Sequence, residues 1–307
     1  MKRFLIIVLA GFAALQVHAV LAADASRDPA KLQVKSANAL VLDATDGSLV
    51  YGKAANEVTP IASLTKLMTA MVVLDAGLPL DENLAVDMDD FDFLKGSRSR
   101  LRMGATLSRD EMLHLALMSS ENRAASALAR HYPGGITAFV SAMNAKAQLL
   151  GMTRTRFEDP TGLSPQNVST AVDLARMVQA AAEYPLIREY STTPAHHVEV
   201  QPNGQTLGFN NSNALVKNDA WDIKLQKTGY IREAGRCVVM LATIASRPVV
   251  IVLLDSLGRY TRIGDAERVR YWLETGESMP AARQVSAKSS KSTRNARTTA
   301  TKVRARR

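Results

Sequence analysis

Pro60-Ile61-Ala62-Ser63-Leu64-Thr65-Lys66-Leu67-Met68-Thr69-Ala70-Met71-Val72-Val73-Leu74-Asp75-Ala76-Gly77 reads as one helix over 62–76, halted by Gly77 and Pro79. Ser63 stands at its start and Lys66 one turn along, so hydroxyl and amine share a face. At a helix start a hydroxyl and a backbone N–H can both meet a carbonyl, and the helix dipole favours negative charge developing there. A partly desolvated lysine near other cations has a lowered pKa, and its neutral amine can take the serine proton. Alone, Ser-x-x-Lys is weak, because a helix cap followed by a solvated lysine has the same letters.

Ahead of this helix, residues 38–43 alternate and are β-prone, Thr45-Asp46-Gly47 is a turn, and 48–53 completes a hairpin. After it the chain is helical for a long way. Ser108 and Glu111 form a capping box for a helix to about 118, and an alanine-rich helix over 122–131 breaks at Pro133-Gly134-Gly135. Further helices cover 136–150, ending at Gly151, and 170–183, ending before Pro185. The texture then returns to strand over 223–228, 236–245 and 248–255. A last helix over 264–274 places Ala266, Val269 and Leu273 on one face and ends at Gly276. Strands at both ends with helices between them predict an α/β chain of the α+β kind, one antiparallel sheet built from the two ends beside a helical subdomain.

The formal charge of +9 is concentrated at the ends. Lys2 and Arg3 precede an apolar run over 4–15 and small residues at Ala19, Ala22 and Ala23, the three parts of a cleaved secretory signal. That run is shorter than the roughly 18–20 residues a membrane span needs. Residues 1–22 are therefore read as a signal peptide, 23–279 as the folded domain, and the mature protein as soluble in the periplasm. Residues 280–307 hold nine bases and no acid, with only Val285 and Val303 as sizeable apolar groups, so they read as a disordered basic tail. Without both ends the chain is close to neutral, which argues against nucleic acid as a partner. The tail itself is suited to electrostatic contact with anionic envelope surfaces.

Two further motifs follow in order, Ser120-Glu121-Asn122 between two helices and Lys227-Thr228-Gly229 at the end of a strand. Short polar side chains in a helix break can project into a cleft, and Gly229 lets a substrate backbone approach the strand edge. Glu121 reads as a solvated carboxylate at the cleft mouth. Ser36-Ala37-Asn38 also fits the second pattern, but it precedes the nucleophile and leads into a strand. All three motifs, in order and on the elements their chemistry needs, make a specific signal. Cys237, beside Val238-Val239-Met240, reads as a small buried hydrophobe. No metal or other cofactor is expected: the adjacent histidines His196 and His197 point to opposite faces of a strand and make a poor chelate.

With these residues in hand, the chain resembles the low-molecular-mass penicillin-binding proteins of the D-alanyl-D-alanine peptidase family, in particular the type-7 D,D-endopeptidases. The likeness runs over about 39–276 and includes Pro60-Ile61-Ala62, Leu115-Ala116-Leu117-Met118-Ser119, Asn144-Ala145-Lys146-Ala147, Pro160-Thr161-Gly162-Leu163 and Asn211-Ser212-Asn213. The resemblance implies the β-lactamase/D,D-peptidase fold, a five-stranded antiparallel sheet flanked by helices with a helical subdomain. It implies Ser63 as nucleophile, Lys66 as general base and Ser120 as proton relay to the leaving amine. Asn122 would bond the substrate peptide, Lys227 would keep the site electropositive, Thr228 would hold the substrate carboxylate, and the N–H groups of Ser63 and Tyr230 would form the oxyanion hole. Peptidoglycan peptides become the expected substrates, cell-wall remodelling the expected role, and β-lactams the expected covalent inhibitors.

Within that fold a class A β-lactamase deacylates through a glutamate four residues before an asparagine. Glu158 is followed by Asp159-Pro160-Thr161-Gly162, so the pair is missing. A β-lactam sensor without turnover needs a coupled signalling segment, and none is read here. D,D-endopeptidase is preferred over D-alanyl-D-alanine carboxypeptidase because nothing resembles the extra β domain and amphipathic anchor of the dedicated carboxypeptidases.

Overall fold

The computed structural model describes residues 27–280. The signal-peptide reading and the basic tail beyond residue 280 lie outside the described residues. In chain order the strands are β1 (Asn38–Asp43), β2 (Leu49–Lys53), β3 (Thr59–Pro60), β4 (Asn83–Ala85), β5 (Thr106–Ser108), β6 (Val168–Ser169), β7 (Ala195–Val200), β8 (Gln205–Asn210), β9 (Asp222–Ile231), β10 (Gly235–Ile244) and β11 (Arg247–Ser256). The helices are α1 (Lys66–Asp75), α2 (Arg109–Met118), α3 (Asn122–Arg130), α4 (Gly135–Leu149), α5 (Ala171–Ala182), α6 (Pro185–Thr192) and α7 (Thr261–Thr275).

The two ends of the chain meet in one five-stranded antiparallel sheet of order β2-β1-β11-β10-β9. Its central strand shows why the sheet sits between two cores. Val250, Val252 and Leu254 of β11 face the helical lobe, while Val249, Ile251 and Leu253 face α7. All six are fully buried. A period of two turns alternate side chains to opposite faces, so a strand covered on both sides must be apolar throughout. On the α7 face, Ala266, Val269, Trp272 and Leu273 pack on Ala39, Val41, Val238 and Met240. Each large side chain so buried contributes roughly 1.5–3 kcal/mol. Asp265, the residue after Gly264 in α7, accepts from the backbone N–H groups of Lys35 and Ser36, which ties the entering chain to the last helix.

α1 lies at the centre of the other core, with every residue from Lys66 to Val73 buried. A helix covered all round is apolar nearly all round; the polar exceptions are Thr69, which donates to the Pro160 carbonyl, and Lys66, which the site explains. The expected helix start is a 3₁₀ turn over Ala62–Thr65, and the α-helix proper begins at Lys66. Several elements went unread in the sequence, among them the short strands β3 to β6. Pro185 was read only as the limit of α5 but opens α6 as its first residue, and β7 pairs with β8 as a separate hairpin.

Candidate active site

Three elements converge on one cleft of about 690 Å³, lined among others by Ser63, Ser120, Asn122, Ser212, Thr228, Gly229, Tyr230 and Arg262. Ser63 comes from the 3₁₀ turn before α1, whose first residue, Ala62, has φ +49°. Ser120 stands between α2 and α3 with φ +62°, a left-handed kink that a serine adopts only under constraint from both helices. β9 supplies the opposite wall.

Lys66 Nζ lies 3.1 Å from Ser63 Oγ, 2.7 Å from Asn122 Oδ1 and 2.6 Å from the Thr161 carbonyl. One amine thus joins the turn that carries Ser63, the start of α3 and the Thr161 loop. Lys66 is completely buried, and that desolvation brings its pKa down to about 8 against the opposing pull of Asp159 and Glu121. The Thr161 carbonyl is fixed by a loop that Asp159 organises: its carboxylate accepts from the N–H groups of Thr161, Gly162 and Ser164. Asn167 locks the same loop to the 3₁₀ turn by donating to Thr65 Oγ1 at 3.0 Å and to the Asp159 carbonyl at 2.8 Å.

Lys227 is buried, and its pKa lies well below the ordinary lysine range because of burial first, with Lys66 and Arg262 adding repulsion. Thr228 Oγ1 donates to Ser212 Oγ at 2.8 Å, and the Ser212 N–H donates to the Met118 carbonyl at 2.9 Å, so the wall of β9 is joined to the end of α2. Arg262, from the first turn of α7, donates to the Gly229 carbonyl at 3.3 Å and leaves its buried Nε without a hydrogen-bond partner. Ser212 and Arg262 were not singled out in the sequence. Ser212 sits within a stretch noted there only for likeness, and Arg262 lies 33 residues beyond Gly229 with no local motif around it.

Two expectations are corrected. Lys227-Thr228-Gly229 does not end its strand, since β9 continues to Ile231. Gly229, which lines the cleft, also packs closely on the protein's own backbone: a Cβ there would stand 3.0 Å from both Ile61 O and Ser63 N. Glu121 is not solvated. It is buried, caps α3 by accepting from the Arg123 N–H at 3.2 Å, and has its carboxyl pKa raised by that burial. Cys237 is buried, with its thiol pushed up to about 12 by desolvation, in keeping with an inert side chain. Glu158 pairs with Arg156 at 2.8 Å, with about half its side chain exposed.

A serine hydroxyl beside a buried, pKa-lowered lysine on an α+β scaffold is the arrangement of a serine acyl-transferase. More narrowly, the chain belongs to the S11 family of serine peptidases, described as D-alanyl-D-alanine carboxypeptidase, whose model matches residues 23–258, and it is a serine D-Ala-D-Ala peptidase. It is 52% identical over 256 residues to a D-alanyl-D-alanine endopeptidase of Pseudomonas aeruginosa, covering 83% of each chain. It is 51% identical to one of Escherichia coli, covering 81% of this chain and 80% of the other. Among solved structures it resembles the Streptomyces K15 DD-transpeptidase, with TM-score 0.74, 26% identity, and coverage of 79% of this chain and 98% of that one. It also resembles penicillin-binding protein D2 of Listeria monocytogenes in its cefotaxime-bound form, with TM-score 0.69, 28% identity, and the same coverage of 79% and 98%.

Proposed function

We propose that the chain is a D,D-endopeptidase that hydrolyses D-alanyl–diaminopimelate cross-links of peptidoglycan through an acyl-enzyme on Ser63. The observation that carries this reading is the buried Lys66 amine held between Ser63 Oγ, Asn122 and the Thr161 carbonyl. Neutral Lys66 takes the Ser63 proton as Oγ attacks the D-alanyl carbonyl. The N–H groups of Ser63 and Tyr230 receive the oxyanion, and Ser120 passes a proton to the departing amine as the C–N bond breaks. Water then cleaves the ester and frees Ser63. Asn122 bonds the substrate peptide as well as steadying Lys66.

The carboxylate on the leaving D-centre settles against Thr228, where buried Lys227 and partly buried Arg262 have no anionic partner among the described residues. Its arrival stabilises their charged forms. The same pocket accepts a penicillin carboxylate, which makes β-lactams covalent inhibitors. Slow release of that adduct is expected because Asp159 is committed to the loop backbone and Glu158 to Arg156. The leader places the mature protein in the periplasm, where cell-wall remodelling is its role, and the basic tail holds it to anionic envelope material.

Both relatives above half identity are named endopeptidases, whereas a 28% identical relative from Bacillus subtilis is named a carboxypeptidase. Digestion of purified cross-linked muropeptide dimers alongside pentapeptide monomers, read by mass spectrometry, tests the assignment. Dimers are expected to fall to monomers faster than pentapeptides lose D-alanine. The reverse preference makes the protein a carboxypeptidase, and acylation by penicillin with turnover of neither peptide makes it a sensor.

A further inference from the structure

The hairpin β7–β8 is held on α2 by a cluster that acyl transfer does not use. Glu111 and His114 stand three residues apart on α2 and so share a face, and His196 meets them from β7. One ligand-type atom from each residue lies within 4.8 Å of the other two. His196 Nε2 is 2.8 Å from Glu111 Oε2. The rings of His114 and His196 stack with centroids 4.1 Å apart and planes 23° apart. Tyr190 stacks on His114 at 4.3 Å, and His114 Nε2 meets Thr193 Oγ1 at 3.0 Å, so that ring can neither swing nor tilt freely. His114 is buried while Glu111 and His196 keep partial exposure, which leaves an entry path from solvent. His197 takes no part, lying over Gly208 of β8.

We propose that Glu111, His114 and His196 bind one divalent transition-metal ion, of which Zn²⁺ suits the donors best. Two imidazole nitrogens and one carboxylate oxygen are a borderline donor set, matched to Zn²⁺ and its neighbours, whereas Mg²⁺ and Ca²⁺ take oxygen ligands. Three protein ligands leave one position for water, the pattern of an open zinc site. Bonds of about 2.0–2.2 Å around tetrahedral zinc put ligand atoms roughly 3.3 Å apart, and an imidazole ligates through a lone pair in its ring plane, so the partly exposed His196 ring must turn out of its stack on His114 as Glu111 closes in. The ion takes the place of the hydrogen bond between Glu111 and His196.

Metal at this point would pin the hairpin to α2, the helix that ends just before Ser120. The coupling path is short: the Thr193 carbonyl accepts from Asn211 Nδ2 at 2.8 Å, and the next residue, Ser212, holds Thr228. Sequence reading weighed His196 only against its neighbour His197. Its partners come from an element 85 residues away.

The test uses full-length secreted protein carrying no polyhistidine tag, stripped with a chelator and dialysed. Calorimetric titration with Zn²⁺ is expected to give one equivalent per chain, with a rise in melting temperature that EDTA reverses. NMR should show zinc-dependent shifts in the imidazole nitrogens of His114 and His196. Glu111→Gln and His196→Gln are each expected to weaken binding by about tenfold or more, while His197→Gln binds as the wild type does. No binding by wild-type protein, or binding that persists unchanged in the Glu111→Gln/His196→Gln double variant, overturns the proposal and leaves the cluster a hydrogen-bonded clamp. Imidazole shifts confined to His131 or His197 overturn it as well, and that readout needs no variant to fold.

Discussion

Asn122 Oδ1 receives Lys66 Nζ at 2.7 Å, a closer contact than the 3.1 Å between that nitrogen and Ser63 Oγ. The second motif is therefore part of the Lys66 amine's own environment as well as a wall of the cleft. Asn122 Nδ2 is anchored in turn by Ser97 Oγ at 3.0 Å, so the amide's orientation is set and its oxygen is the atom that faces the amine. A neutral oxygen in contact tolerates either protonation state of Lys66. A charged one would not.

This gives a pH profile with a definite sign. Lys66 is brought down to about 8 chiefly by burial, and only its neutral form takes a proton. Acylation by subsaturating fluorescent penicillin should rise about tenfold per pH unit below 8 and level off above it. Asn122→Asp puts a carboxylate in contact with the ammonium, raises the pKa and moves the rise to higher pH. Glu121→Gln removes a charge that holds the Lys66 pKa up and moves the rise to lower pH. Stopped-flow acylation on both sides of pH 8 reads all three. A rate that is flat through this range in the wild type would mean that another group is the base.

Labelled penicillin should acylate Ser63 and no other residue, as peptide mapping of the adduct will tell. Ser63→Ala should take no label. Lys66→Ala should acylate about 10²–10⁴-fold more slowly, the usual contribution of a positioned base, with its circular dichroism unchanged, since alanine is a good helix former at the first residue of α1. Undiminished labelling of Ser63→Ala would remove the basis of the mechanism.

Gly162 is under a sharper constraint than any residue of the three motifs. Its φ is +83°, and a Cβ there would stand 2.0 Å from the Ala62 carbonyl oxygen and 2.8 Å from Ser63 N. Gly162→Ala should therefore cost at least ~2 kcal/mol of stability, from left-handed strain and displaced backbone together, and slow acylation because the displaced atoms belong to the nucleophile's turn. Gly77→Ala is the control: its φ is +61°, but nothing lies within 4 Å of the added carbon. It should lose only about 1–2 kcal/mol and acylate normally. Chemical denaturation and acylation of both variants check the pair, and equal acylation defects would show that strain rather than contact is responsible.

Much of this arrangement was legible because the chemistry uses local spacing. Ser63 and Lys66 are one helical turn apart, and Ser120 falls in a real break between α2 and α3. The sheet was legible too, since β11 is apolar on both faces from Val249 to Leu254 and β1 and β10 alternate as its neighbours. What could not be read depends on contacts between distant elements. Arg262 reaches Gly229 from the start of the last helix, and Ser212 reaches Thr228 from the far side of a loop. Glu121 was misread because glutamate is an uncommon N-cap, with Ser, Thr, Asp and Asn preferred there, so the cap that buries it left no local signal. The hairpin β7–β8 hides for another reason: only Val198, Val200 and Phe209 are buried along it, too few for a clear alternation.

Removal of residues 280–307 should leave turnover of a small soluble cross-linked dimer unchanged. The described fold closes before that segment: α7 ends at Thr275, Gly276 takes the left-handed capping conformation with φ +73°, and Glu277 and Ser278 bond back to Lys31 at 2.7 Å each. The deleted residues carry nine bases, no acid and only two sizeable apolar groups, so their expected action is that of a polycation on an anionic surface. Such an attraction weakens as the screening length shrinks from about 10 Å at 0.1 M salt to about 3 Å at 1 M. Full-length protein should therefore bind intact sacculi or anionic vesicles at low salt and release at high salt, whereas the truncated protein should bind weakly at both. A truncation that slowed hydrolysis of the small dimer would place the segment in contact with the cleft or the core, against its reading as a separate element.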